Sequence, residues 1–147
     1  MINELTILEQ LQDVIQTQLN DYVEDVPKIE QGSVVIDFPD VDLMPKKTMI
    51  YLQPNYSTYE NMSTESDSSS FIVSAFIICK RDRQENLTKK TYHYFNALYK
   101  LLRTNITLDN TIDFVDVTDA DYFPAVEGNR NVQAVEVMVS IRYSKDY

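Results

Sequence analysis

The groups able to do chemistry are few. His93 is the only histidine and Cys79 the only cysteine in 147 residues. A catalytic nucleophile needs a base beside it and a third group that orients the base. Neither residue has such partners at motif spacing. Cys79 ends an apolar run and reads as a small core residue, while His93 reads as a surface residue. Gly32 and Gly128 are the only glycines, which excludes a Gly-rich phosphate loop. The chain has no Gly-x-Ser-x-Gly, no P-loop, no His-Glu-x-x-His and no cysteine pair.

Carboxylates remain. Asp37, Asp40 and Asp42 form one run, and Asp113, Asp116, Asp119 and Asp121 form another. Paired carboxylates can hold a hard cation or divide acid and base roles. The first run lacks the turn glycine and closing Glu of a calcium loop, and both read as solvated loop acids. The expectation is a protein that is not an enzyme and takes no cofactor and no metal.

Aromatic residues are more telling. Ten Tyr and six Phe occur with no Trp. Tyr51, Tyr56, Tyr59, Tyr92, Tyr94, Tyr99, Tyr122, Phe123 and Tyr143 are more than one small core holds. Some of them are expected on an association surface, where Tyr is favoured.

Charge is segregated along the chain. The net charge is −10. Residues 1–44 carry ten acids and one Lys, and residues 45–79 carry three acids and two Lys. Residues 80–103 reverse the balance, with seven bases and two acids. Residues 104–147 carry eight acids and three bases. The overall charge disfavours nucleic acid and anionic membranes as partners. The basic stretch is either a solvated helix face or a face that meets an acidic surface of another copy.

These groups need a scaffold, and 147 residues suffice for one domain with its own core. The first ten residues have no basic start and no apolar run, so a cytosolic chain without a secretion signal is expected. Asn55, Asn61, Asn86 and Asn105 stand in Asn-x-Ser/Thr triplets and are read as chance. Residues 3–23 predict a helix with Leu5, Leu8, Leu11, Ile15, Leu19 and Tyr22 on its apolar stripe. Glu9, Gln10, Asp13, Gln16 and Asn20 fall on its wet side. Residues 33–38 and 47–53 predict strands around a loop at 39–46 that contains Pro39 and Pro45. The Ser-rich stretch 55–70 predicts a mobile loop between two antiparallel strands. Phe71–Cys79 predicts a central strand covered on both faces.

Residues 85–104 predict a second helix, boxed at its start by Asp82 and Glu85 and stopped at Asn105. Its outer face would carry Lys89, His93, Asn96, Lys100 and Arg103. Residues 111–118 predict a strand with a bulge between Phe114 and Val115, followed by a polar loop over 119–131. Residues 132–143 alternate cleanly, with Val135, Val137, Val139 and Ile141 on one face. The predicted whole is an α+β two-layer sandwich: a mainly antiparallel sheet of about five strands with two helices on one face.

With an amphipathic first helix, a long apolar strand leading into a second helix, the run Asp119-Ala120-Asp121-Tyr122-Phe123-Pro124-Ala125-Val126-Glu127-Gly128, and a final strand closing on Arg142-Tyr143, the chain resembles a known family. It is similar to the small tail-completion and tail-terminator (minor tail) proteins of long-tailed bacteriophages and prophages. The resemblance covers most of the chain in element order and residues 119–143 in local pattern. It implies a structural protein of the virion tail, assembled in the bacterial host cytoplasm. Such a protein forms a homo-oligomeric ring that caps the tail tube and meets the head-tail connector protein. The interaction residues expected are Lys89, Lys100, Arg103, Tyr122 and Phe123. Two other readings fit the same chain: an acidic mimic of nucleic acid that inhibits a host enzyme, and a head-tail connector component.

Overall fold

In the computed structural model the described residues are 3–61 and 66–146. They build one sheet with two helices on one of its faces, in the expected element order. The elements are α1 (Glu4–Gln18), β1 (Val34–Ile36), β2 (Thr48–Asn61), β3 (Ser66–Lys80), α2 (Leu87–Thr104), β4 (Phe114–Phe123) and β5 (Val132–Asp146). The strand order across the sheet is β1-β2-β3-β5-β4. β1 runs parallel to β2, and the other three pairings are antiparallel.

α1 starts where a capping box can form. Asn3 Oδ1 accepts from the Thr6 N–H at 2.9 Å, and the Asn3 N–H donates to Thr6 Oγ1 at 3.0 Å. Its buried stripe is Ile7, Leu8, Leu11, Val14, Ile15 and, just beyond, Leu19. Leu5 is not part of it: turned away from this stripe around the helix, it stands 59% exposed. On the side expected to be wet Glu9 and Asp13 are exposed, while a row of amides on and beside it ties the helix to its surroundings. Gln10 Nε2 donates to Leu108 O, and Gln12 Nε2 donates to Val34 O. Gln16 donates to Glu30 O and accepts from the Val34 N–H. Asn20 closes the same pair of bonds on Ile29.

The described parts of the stretch 55–70 are strand, not loop. Its described parts, 55–61 and 66–70, are the outer ends of β2 and β3, paired from Tyr56↔Ile72 to Asn61↔Asp67. Residues 62–65 lie outside the described residues. Composition misled because apolar burial is not what orders this arm; ladder hydrogen bonds on both sides of β3 do so. The second side is β5, where Ser68 pairs with Ser144 and Ser69 with Tyr143. The Tyr59 hydroxyl donates to the Glu4 carboxylate, which ties the arm to α1. Pro54 does not end β2. β1 covers only Ile50–Leu52, so Pro54 stands on an unpaired edge, where its missing N–H costs little.

α2 begins at Leu87, not at residue 85. Asn86 is its cap, accepting from the Lys89 N–H at 3.1 Å. Glu85 instead accepts from the Asp82 N–H and from Lys90 Nζ. Asn105 closes the helix as expected. Ala97 and Lys90 join the buried face, while Phe95 is only half-buried.

β4 runs five residues further than expected, and its bulge lies between Val117 and Asp119. A bulge shifts the in–out phase by one residue. Val115 and Val117 face the helices before it, and Ala120 packs on the same core after it. That slip hides the alternation that would have marked 119–123 as strand. The remaining loop turns at Glu127-Gly128. Both residues have positive φ, 51° and 78°, as a type I′ turn requires.

The main core lies between helices and sheet, with Leu11, Ile15, Phe71, Ile77, Leu98, Val137 and Val139 at its centre. A smaller cluster covers one end of the other sheet face. There Met49, Tyr51, Ile78, Val132 and Ala134 meet Val41 and Met44 from the loop after β1. β3 is thus covered on both faces at this end, as its apolar run predicts.

Candidate functional site

The outer face of α2 and the end of β4 come together. A cleft of about 300 Å³ opens between them, lined by Lys89, Tyr92, His93, Tyr122, Phe123 and Gln133, among others. Lys89, Tyr122 and Phe123, expected as interaction residues, therefore share one site. Lys100 and Arg103 do not line it; they continue the same helix face as exposed residues further along α2. His93 is half-buried in the cleft wall and not simply on the surface.

An aromatic row runs beside these cations. Tyr92, Phe95 and Tyr99 succeed one another along α2, with ring centroids 6.3 Å apart at each step. Tyr122 crosses from β4 to meet Phe95, while itself 58% exposed. Tyr92 and Tyr99 were counted among the surplus aromatics, but their alignment depends on helix phase and on β4 reaching Tyr122. Aromatic surface interleaved with cations is suited to apolar and anionic groups together.

The charge of the face is not cancelled internally. Among the described residues the ion pairs are Lys46–Glu30 and Lys90–Glu85, and neither uses Lys89, Lys100 or Arg103. Lys90 points inward to Glu85 at 3.2 Å. Burial raises the Glu85 carboxyl, but the Asp82 N–H and the Lys90 ammonium outweigh it and hold the group below the ordinary carboxylate range. Arg81 donates to Glu85 O and Asn131 Oδ1, so it too is engaged within the chain.

The two acidic runs lie elsewhere. Asp113 flanks β4, while Asp116, Asp119 and Asp121 belong to it, on the outer edge of the sheet. Asp37, Asp40 and Asp42 belong to the segment after β1, on the sheet face away from the helices. Among the described residues, no group of three His, Cys, Asp or Glu side chains could hold a metal ion. Burial pushes the Cys79 thiol up from its ordinary value, so it stays protonated within the core.

A second cleft, of about 260 Å³, lies on the face opposite the helices, between Phe38, Val41, Phe76, Phe123 and Val126. Phe38, which carries no sequence signal, is here, and Leu43 lies further along the same segment. Phe38 and Leu43 are 73% and 76% exposed.

No protein-family profile matches the chain, and no curated protein matches it. A solved structure does. It is a chain from the virion of a native gene transfer agent particle, similar over 95% of this chain and 92% of that one. The TM-score is 0.54 and the sequence identity 10%. The two chains share a fold. At that identity the likeness concerns backbone arrangement alone.

Proposed function

We propose that the chain is a structural component of a phage-like virion. Its role is that of a tail terminator: a homo-oligomeric ring that caps the tail tube and joins the head connector, without catalysis. The observation that carries this reading is the fold shared with a chain of the gene transfer agent virion over 95% of the present chain. The exposed aromatic row and unpaired cations of α2 support it, since they offer an association surface. Among the described residues no carboxylate lines the cleft that holds His93, so none there offers the orienting acid that nucleophilic catalysis asks for.

The mechanism is surface complementarity. A ring seated on the last layer of the tube covers the face to which further tube subunits would add. Its opposite face becomes the new docking surface for the connector. Such a protein would reside in the virion tail and assemble in the bacterial host cytoplasm. The reading as a nucleic-acid mimic is less well supported, because the exposed basic face of α2 would repel a basic groove.

The test is tube growth in vitro. Purified protein added to elongating tail tubes should stop growth and appear as density at one tube end. Tubes that elongate unchanged, with the protein bound instead at the portal vertex of heads, would replace the terminator role with that of a connector component.

A further inference from the structure

We propose that the acidic segment 37–43 of one copy docks on the basic aromatic face of α2 in a second copy. This names the contact that would build the ring and rests on the self-association proposed above.

The segment has the form of a ligand. Asp37, Asp40 and Asp42 give it three carboxylates and no base. Phe38 and Leu43 protrude from it, more exposed than any other large apolar side chain described. Apolar groups left so open in company mark surfaces that another molecule covers. The segment is also held in shape. Val41–Leu43 form a single 3₁₀ turn, capped by Asp40 Oδ1 accepting from the Asp42 N–H at 3.1 Å. Val41 and Met44 anchor it on the small cluster under the sheet. A segment ordered beforehand loses little freedom on docking.

The receiving face matches it in charge. Lys89, Lys100 and Arg103 are exposed and outside both ion pairs described above. Tyr92 and Tyr122 border a cleft of about 300 Å³, room for an apolar side chain. Lys89 and Lys100 lie about 16 Å apart along a helix rising 1.5 Å per residue.

The two patches lie on opposite faces of one sheet, so the contact joins unlike surfaces of two copies. Contacts of that kind repeat head to tail, and they close into a ring when the rotation allows.

Charge reversal tests this directly by sedimentation velocity at low salt. One variant carries Asp37→Lys and Asp42→Lys; the other carries Lys89→Glu and Lys100→Glu. Each alone should associate roughly ten-fold more weakly than the unaltered protein. An equimolar mixture should recover to within about three-fold, because each loop then faces an opposite charge on the other variant. Thermal midpoints of both variants confirm that they fold. Leu43→Ser, which removes an apolar tip without touching charge, should weaken association as well. If the unaltered protein assembles and both reversed variants assemble equally well, this contact is wrong while self-association stands. If the two variants each lose association but the mixture recovers nothing, the patches do not meet one another. If the unaltered protein stays a monomer, self-association fails and this contact with it.

Discussion

The Tyr122 ring of β4 stands edge-on to the Phe95 ring of α2, with centroids 6.2 Å apart and planes at 78°. This contact joins the outer strand of the sheet to the helix that carries the unpaired cations. It is packed on one side and open on the other, so Tyr122 serves both fold and surface. Tyr122→Ala removes an aromatic pair that contributes about 0.5–1.5 kcal/mol. The thermal midpoint should fall by only about 2–5 °C, while association weakens clearly in sedimentation. A lower midpoint with unchanged association would reduce the aromatic row to internal packing.

Gln16 connects α1 to the start of β1. It accepts from the Val34 N–H at 3.0 Å and donates to Glu30 O at 3.0 Å. Gln16→Ala strands a part-buried backbone N–H and should cost about 1–3 kcal/mol in urea unfolding. Glu9→Ala, one helix face away and exposed, should stay within about 0.5 kcal/mol. Equal effects of the two changes would show that the amide row contributes nothing specific.

Val137 lies at the centre of the main core, on the inward face of β5 and fully buried. Val137→Asp places an unpaired carboxylate there. The cost of several kcal/mol is a large part of a total stability of roughly 5–15 kcal/mol. Far-ultraviolet circular dichroism at 25 °C should show loss of the native fold; a native spectrum and melting curve would contradict this register of β5.

Tyr94 predicts an alkaline limb of stability. Burial pushes its phenol up to about 12 from an ordinary value of 10, and the hydroxyl donates to Pro27 O at 2.5 Å. The folded state thus favours the protonated phenol. The associated stability is complete below pH 10 and is lost as pH rises from there toward about 12. Tyr94→Phe should lower stability at neutral pH and flatten its decline over that window. An unchanged alkaline slope in urea titrations at successive pH values would remove Tyr94 from the account.

Periodicity was legible wherever a single face met the core. The alternation of Val135, Val137, Val139 and Ile141 predicted β5, and the helical spacing of Leu8, Leu11 and Ile15 predicted α1. It failed where the backbone changes phase. The bulge after Val117 put Tyr122 on the inward side one residue out of step, so the end of β4 read as loop. The hairpin arm failed for a different reason. Ser68, Ser69 and Ser70 are ordered by ladder bonds to β2 and β5, which composition does not register. Lys89, Tyr122 and Phe123 are three of the expected interaction residues, and their meeting in one cleft is tertiary. Phe38 and Leu43 carry no local signal, because exposure of an apolar residue depends on what the folded loop leaves uncovered.

The working form proposed for this chain is a closed ring of its own copies. The most direct measurement is the mass of the purified protein in solution over a wide concentration range, paired with electron-microscope class averages. A closed ring gives one discrete species at an integer multiple of 17.1 kDa, with a central opening and rotational symmetry in projection. A single 17.1 kDa species at every concentration, in low salt and in the presence of tail tubes alike, would contradict it.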